Sequence, residues 1–225
     1  RAVKRAPVIA DLPFASYRTP QEALANARRL MECGAAAVKL EGGVAHLPEV
    51  KAIIEAGIPF VGHIGMLPQS VKEEGGYKKK GKTADQITAL LADAQALDEA
   101  GACAMVLESI VPEVATQITA AVQATTIGIG AGTATDGQVL VTPDLLGSYP
   151  WFRPPSAKAR ADVAREILRV VREYVDEERG QRAAVFPPRL PRQMSDLSLR
   201  MKIWPSLIAG EAKTFSFNSL SATSS

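Results

Sequence analysis

The chain has 225 residues, 47% hydrophobic and 22% charged, which is enough apolar material for a sizeable core and too much for a disordered chain. Its 26 Lys and Arg stand against 24 Asp and Glu, and seven of the basic residues fall between 179 and 225 beside only two acidic ones. The remainder is therefore slightly acidic, which excludes a general attraction to nucleic acid or to an anionic membrane, and no apolar run reaches the ~18 residues of a membrane span.

In chain order, "APVIADLPF" (6 to 14) reads as a short buried strand. "TPQEALANARRLMECG" (19 to 34) reads as a helix, with Thr19 as N-cap, Pro20 at the first helical position, Glu22 completing a capping box and Gly34 as the stop. A strand over 36 to 41, a helix over 48 to 56 ending at Gly57 and a strand over 58 to 64 follow. After a long loop the pattern predicts a helix from 84 to 100 closed by Gly101, a strand over 103 to 108, a helix over 112 to 123 and a strand over 125 to 130. A sixth strand is expected within "QVLVTPDLLG" (138 to 147), and an amphipathic helix over 157 to 179 sets Val163, Ile167, Val170, Val171 and Tyr174 on one face. Residues 1–179 form one domain on this reading; 180–225 are expected to be disordered or foreign to the fold.

Continuous apolar strands separated by helices indicate a parallel sheet, and spacing alone fits either a barrel or a doubly wound sheet. In both, the C-terminal strand ends carry the chemistry. Asp11, Lys39 with Glu41, His63 and Glu108 all sit at such ends, and the period of two along a strand projects Lys39 and Glu41 to the same side. Carboxylates are costly to bury unpaired. Three of them converging with a lysine suggest a site for a hard cation and an anionic substrate.

Other patterns read as structure. "GYKKKGKT" (76 to 83) matches the phosphate-loop spacing, but "PQSVKEEG" before it is no strand, so Thr83 and Gln86 are expected to cap the next helix. "GIGAG" (128 to 132) lacks the third glycine of a dinucleotide fingerprint, since Thr133 stands in its place. His63 is either a hydrogen-bonding group of the site or a structural histidine, and His46 is assigned no role. Cys33 and Cys103 read as buried free thiols, which points to a reducing compartment.

In order along the chain, "ADLPF", "VKLEGG", "GHIGMLPQS", "GGYKKKGK", "MVLES" and "IGIGAGTATDGQVLV" resemble the ketopantoate hydroxymethyltransferase family over residues 6 to 147, and more loosely to 179. The resemblance implies a (β/α)8 TIM-type barrel, here lacking its first two strands and their Gly-Asp-Ser motif. It implies transfer of a one-carbon unit from 5,10-methylenetetrahydrofolate to 3-methyl-2-oxobutanoate, giving 2-dehydropantoate on the route to pantothenate. By motif, Asp11 would ligate Mg²⁺ and contact the oxo acid, Lys39 would bind substrate, Glu41 would belong to the metal site and Glu108 would accept the proton, with His63 in support. A partly apolar strand end would suit that base by raising its pKa. A homo-oligomer is implied, in the cytoplasm or the mitochondrial matrix. Two alternatives stand beside this: an inactive remnant serving only as an oligomer partner, and a related enolate-forming barrel enzyme of the phosphoenolpyruvate mutase and isocitrate lyase group.

Overall fold

The computed structural model describes residues 3–185 except 74, 153, 155 and 156, with side chains up to 180. The expected non-family tail lies outside the described residues from 186 onward. The chain divides into two compact units at Glu166 and Ile167. The first holds six strands, β1 (Ile9–Asp11), β2 (Ala37–Lys39), β3 (Phe60–Gly65), β4 (Ala104–Glu108), β5 (Thr125–Ile129) and β6 (Gly137–Gln138). With them are α1 (Pro20–Glu32), α2 (Leu47–Glu55), α3 (Ala84–Ala100), α4 (Pro112–Ala121) and α5 (Thr142–Leu146). The helix α6 (Val163–Val185) runs into the second unit. It starts and ends about six residues later than the sequence pattern indicates, and Ile167, Val170, Val171 and Tyr174 are exposed.

The strands pair in the order β1-β2-β3-β4-β5-β6, every pair parallel. This decides the question left open by spacing. A doubly wound sheet reverses its strand order at a switch point, whereas a sequential parallel order with right-handed crossovers keeps all helices on one face. The first unit is an arc of a (β/α) barrel. Its helix-facing side chains, Val38, Phe60, Ile64, Met105 and Leu107, are buried with Ala27, Ile53, Leu97, Ala115 and Ile118 of the helices. Full burial of each large apolar side chain contributes about 1.5–3 kcal/mol. Alternate residues, Val61, His63, Val106, Glu108, Ile127 and Ile129, face the other way and line one cavity.

The punctuation that sets the helices is visible in local bonds. Thr19 Oγ1 accepts from Glu22 N, while Glu22 Oε2 accepts from Arg18 N, one residue before the cap. Thr83 Oγ1 accepts from Gln86 N, and Gln86 Oε1 accepts from both Gly81 N and Lys82 N. Two amides of the would-be phosphate loop are thus committed to Gln86, and those of Gly76 and Lys80 to Val71 O and Ser109 O. Two expectations fail. β6 spans only two residues, because Pro143 near the start of α5 and the left-handed Gly147 at its end favour a helical turn over a longer strand. Cys33 and Cys103 are free but exposed: one caps α1 and the other enters β4, its Sγ donating to Phe60 O.

Two positions bind the strand ends together. Gly65, at φ +101°, brings the chain leaving β3 against β4, where Met66 N donates to Glu108 O; a Cβ at Gly65 would lie 2.2 Å from that carbonyl oxygen. At the other side of the arc, Asp136 Oδ2 accepts from Thr126 N and Thr126 Oγ1, holding the loop before β6 to β5. These bonds to its ionised form lower the Asp136 pKa.

Gly65→Ala should therefore lose at least ~3 kcal/mol of unfolding free energy, since strain and collision add. Gly57→Ala, at φ +77° with nothing within 4 Å, should lose only about 1 kcal/mol. Denaturant titration of both variants checks the contrast. For Asp136 the folded pKa lies below the unfolded value of about 3.8, so its stabilisation is complete above that value and is lost as pH falls through the folded one. Asp136→Asn should flatten this part of the acid unfolding curve, read by circular dichroism.

Candidate active site

Register brings the polar strand ends together. Asp11 pairs with Lys39 across β1 and β2, and Gly65 pairs with Glu108 across β3 and β4, which leaves His63 pointing inward beside Glu108. Lys39 Nζ lies 2.9 Å from Asp11 Oδ1 and 3.2 Å from His63 Nδ1. An ammonium only donates, so Nδ1 must accept and the imidazole proton resides on Nε2. That nitrogen is 3.2 Å from Glu108 Oε2. The proximity is real but the alignment is not that of a hydrogen bond, and among the described residues Nε2 is a buried polar atom without a hydrogen-bond partner.

Glu41 follows β2 by two residues and is buried beside His63, its Oε1 3.9 Å from Nδ1. Burial is the main cause of its raised pKa; the charge of Glu108 also raises it, while the Gln69 amide and Lys39 oppose. Asp11 is more than half exposed at the rim. Glu108 is followed by Ser109 at φ +51°, a left-handed non-glycine residue whose N–H donates to Ile129 O and whose carbonyl accepts from Lys80 N. Strained backbone held from both sides fixes where the Glu108 strand end stops.

All five sequence-derived residues, Asp11, Lys39, Glu41, His63 and Glu108, line a single cavity of about 400 Å³ with an apolar floor of Ile9, Val61, Val106, Ile127 and Ile129. Among the described residues no group of three or more His, Cys, Asp or Glu could hold a metal. Two residues escaped the sequence reading. Gln69 N donates to Glu41 Oε2 at 2.9 Å, and Tyr17 OH donates to Gln69 Oε1 at 2.9 Å. Gln69 lies in "GHIGMLPQS", a signal noticed only as part of a resemblance, while Tyr17 stands in no pattern. His46, assigned no role, packs its ring edge on Tyr17. Among the described residues, no helix is long and apolar enough to cross a membrane.

A barrel arc with acids and an amine at its C-terminal strand ends defines an α/β site for a small anion. The sequence profile of ketopantoate hydroxymethyltransferase matches residues 1–188, and the chain belongs to that family. It is 50% identical over 179 residues to a 3-methyl-2-oxobutanoate hydroxymethyltransferase of Thermoanaerobacter sp., covering 79% of this chain and 65% of the relative. It is 48% identical over 191 residues to a protein of the same name from Pyrobaculum neutrophilum, covering 84% and 71%. The chain thus spans slightly under two thirds of the length of the first of these relatives. Among solved structures it is similar to an uncharacterized conserved protein from Geobacillus kaustophilus, with a TM-score of 0.43, 16% identity and coverage of 62% and 68%. It also overlaps an isomerase from Streptomyces coelicolor, with a TM-score of 0.38, 18% identity and coverage of 54% and 32%. At those scores the overlaps do not bear on the fold, which rests on the strand order.

Because Glu41 has its folded pKa raised, the native state holds its proton where the unfolded state has lost it, and stability falls as pH rises from about 4.5. Glu41→Gln should therefore raise the unfolding midpoint near pH 7 in chelator-treated protein and remove that decline. Thermal scans between pH 4.5 and 8 check the sign.

Proposed function

We propose that this chain carries the catalytic face of a ketopantoate hydroxymethyltransferase. It would transfer a hydroxymethyl group from 5,10-methylenetetrahydrofolate to 3-methyl-2-oxobutanoate, giving 2-dehydropantoate for pantothenate biosynthesis, in a homo-oligomer. The observation that carries this reading is the run of contacts Lys39 to His63 to Glu108 across adjacent strand ends, flanked by the Asp11 and Glu41 carboxylates.

Asp11 and Glu41 fit Mg²⁺, which takes one or two carboxylates and completes its shell with water and substrate oxygens. Bound there, the ion would polarise the carbonyl of the oxo acid as a Lewis acid. The chain's own groups do the rest. Lys39 offers its ammonium to the substrate carboxylate, and the apolar floor receives the branched alkyl group. His63, fixed as the Nε2–H tautomer by Lys39, presents a donor that the protein leaves unsatisfied, so a substrate oxygen can take it. Glu108 removes the C3 proton, and the electron pair left behind forms the new carbon–carbon bond with the one-carbon unit as that carbon's bonds to the two folate nitrogens break, water supplying the hydroxyl oxygen and tetrahydrofolate leaving with the protons.

One observation favours a second reading. Inward or rim side chains of the arc remain open to solvent, with Ile9 43%, Val139 43% and Val141 50% exposed. An incompletely covered site of this kind fits an inactive remnant that serves only as an oligomer partner.

Deuterium exchange at C3 of 3-methyl-2-oxobutanoate, followed by NMR with Mg²⁺ present, tests the base without needing the folate. Glu108→Gln should slow it about 10²–10⁴-fold while calorimetric affinity for the oxo acid holds within about threefold. Lys39→Ala should weaken that affinity about tenfold or more. Exchange unaffected by Glu108→Gln removes the base assignment; neither binding nor exchange by the native chain favours the second reading.

A further inference from the structure

Three loops meet at one residue the catalytic reading does not use. Gln69 sits in the single turn of 3-10 helix Pro68–Ser70 after β3. Its side-chain Oε1 accepts from Tyr17 OH at 2.9 Å, and its Nε2 donates to Leu12 O at 3.0 Å. Leu12 follows Asp11 directly, and its own N–H donates to Lys39 O at 2.8 Å. The backbone N–H of Gln69 donates to Glu41 Oε2. Tyr17 is buried, with His46 against its ring, so the hydroxyl is a fixed anchor and not a surface group.

The division of labour within this one residue is unusual. The amide side chain holds the loop after β3 to the loop after β1, and the main chain then aims at the carboxylate after β2. A buried carboxylate has many rotamers and little to choose between them unless a donor is fixed. We propose that Gln69 is a positioning residue that, latched by Tyr17 and Leu12, sets the orientation of the Glu41 carboxylate and with it the spacing between the Asp11 and Glu41 sides of the site. This rests on the reading of Glu41 as a substrate-site group, and it goes beyond that reading by assigning the geometry to a residue that touches no ligand.

The test uses the full 225-residue chain and two independent readouts. The first needs no ligand: hydrogen exchange at the residue-69 amide should quicken about fivefold in Tyr17→Phe while strand amides of β4 stay unchanged, as expected for loss of one hydrogen bond holding a local element. The second is calorimetric binding of 3-methyl-2-oxobutanoate with Mg²⁺. Gln69→Ala should weaken it about fivefold or more in the native background and leave it unchanged in a Glu41→Ala background, because a residue that acts through Glu41 has nothing left to orient. Fully additive losses, an unaltered residue-69 amide, or uniform acceleration of all amides would each overturn the assignment. Faster exchange at residue 69 in a native chain that binds no oxo acid supports the positioning role and overturns the substrate reading alone.

Discussion

A lysine that can only donate governs the site. With Lys39 Nζ against His63 Nδ1, the buried imidazole has one tautomer open to it, and its proton is directed to the Glu108 side. Exchange either group and the rest loses its logic: the acids would face a ring of undetermined polarity. The lysine is itself held by Asp11, so this pair of charges sets the state of the neutral ring beside it. Placing a charge at a distance and reading it out through a neutral ring avoids the desolvation that a second buried ion would suffer.

The fold makes that arrangement inexpensive in sequence terms. Strands β1 to β4 each place a functional side chain at or near the C-terminal end and give alternate positions to the helices, so packing and chemistry occupy opposite faces of the same strands. Phe60 and Ile64 serve the core while His63 between them serves the cavity. The sequential parallel order carries this architecture.

Much of the fold was legible because its boundaries are chemical. α3 runs over the expected residues because Thr83 with Gln86 starts it and Gly101, in the left-handed region, stops it. β6 and α6 were misplaced for the converse reason: an apolar run such as Val139–Val141 has no period that separates strand from coil, and Asp162, whose carboxylate faces Arg165 N, was passed over as a start signal. The five site residues could be picked out because a charge closing an apolar strand is conspicuous. Gln69 and Tyr17 could not, since an amide in a polar loop acquires meaning only when three loops converge on it. The two cysteines show the limit of composition: small apolar neighbours in sequence did not cover them in space.

The crossing at Gly65 joins β3 to β4 so closely that the histidine and the carboxylate on those strands share one frame. Asp11, by contrast, stands on an edge strand of three residues and is open to water. The mouth therefore has two unlike flanks, one seated in the interior of the sheet and one wetted by solvent.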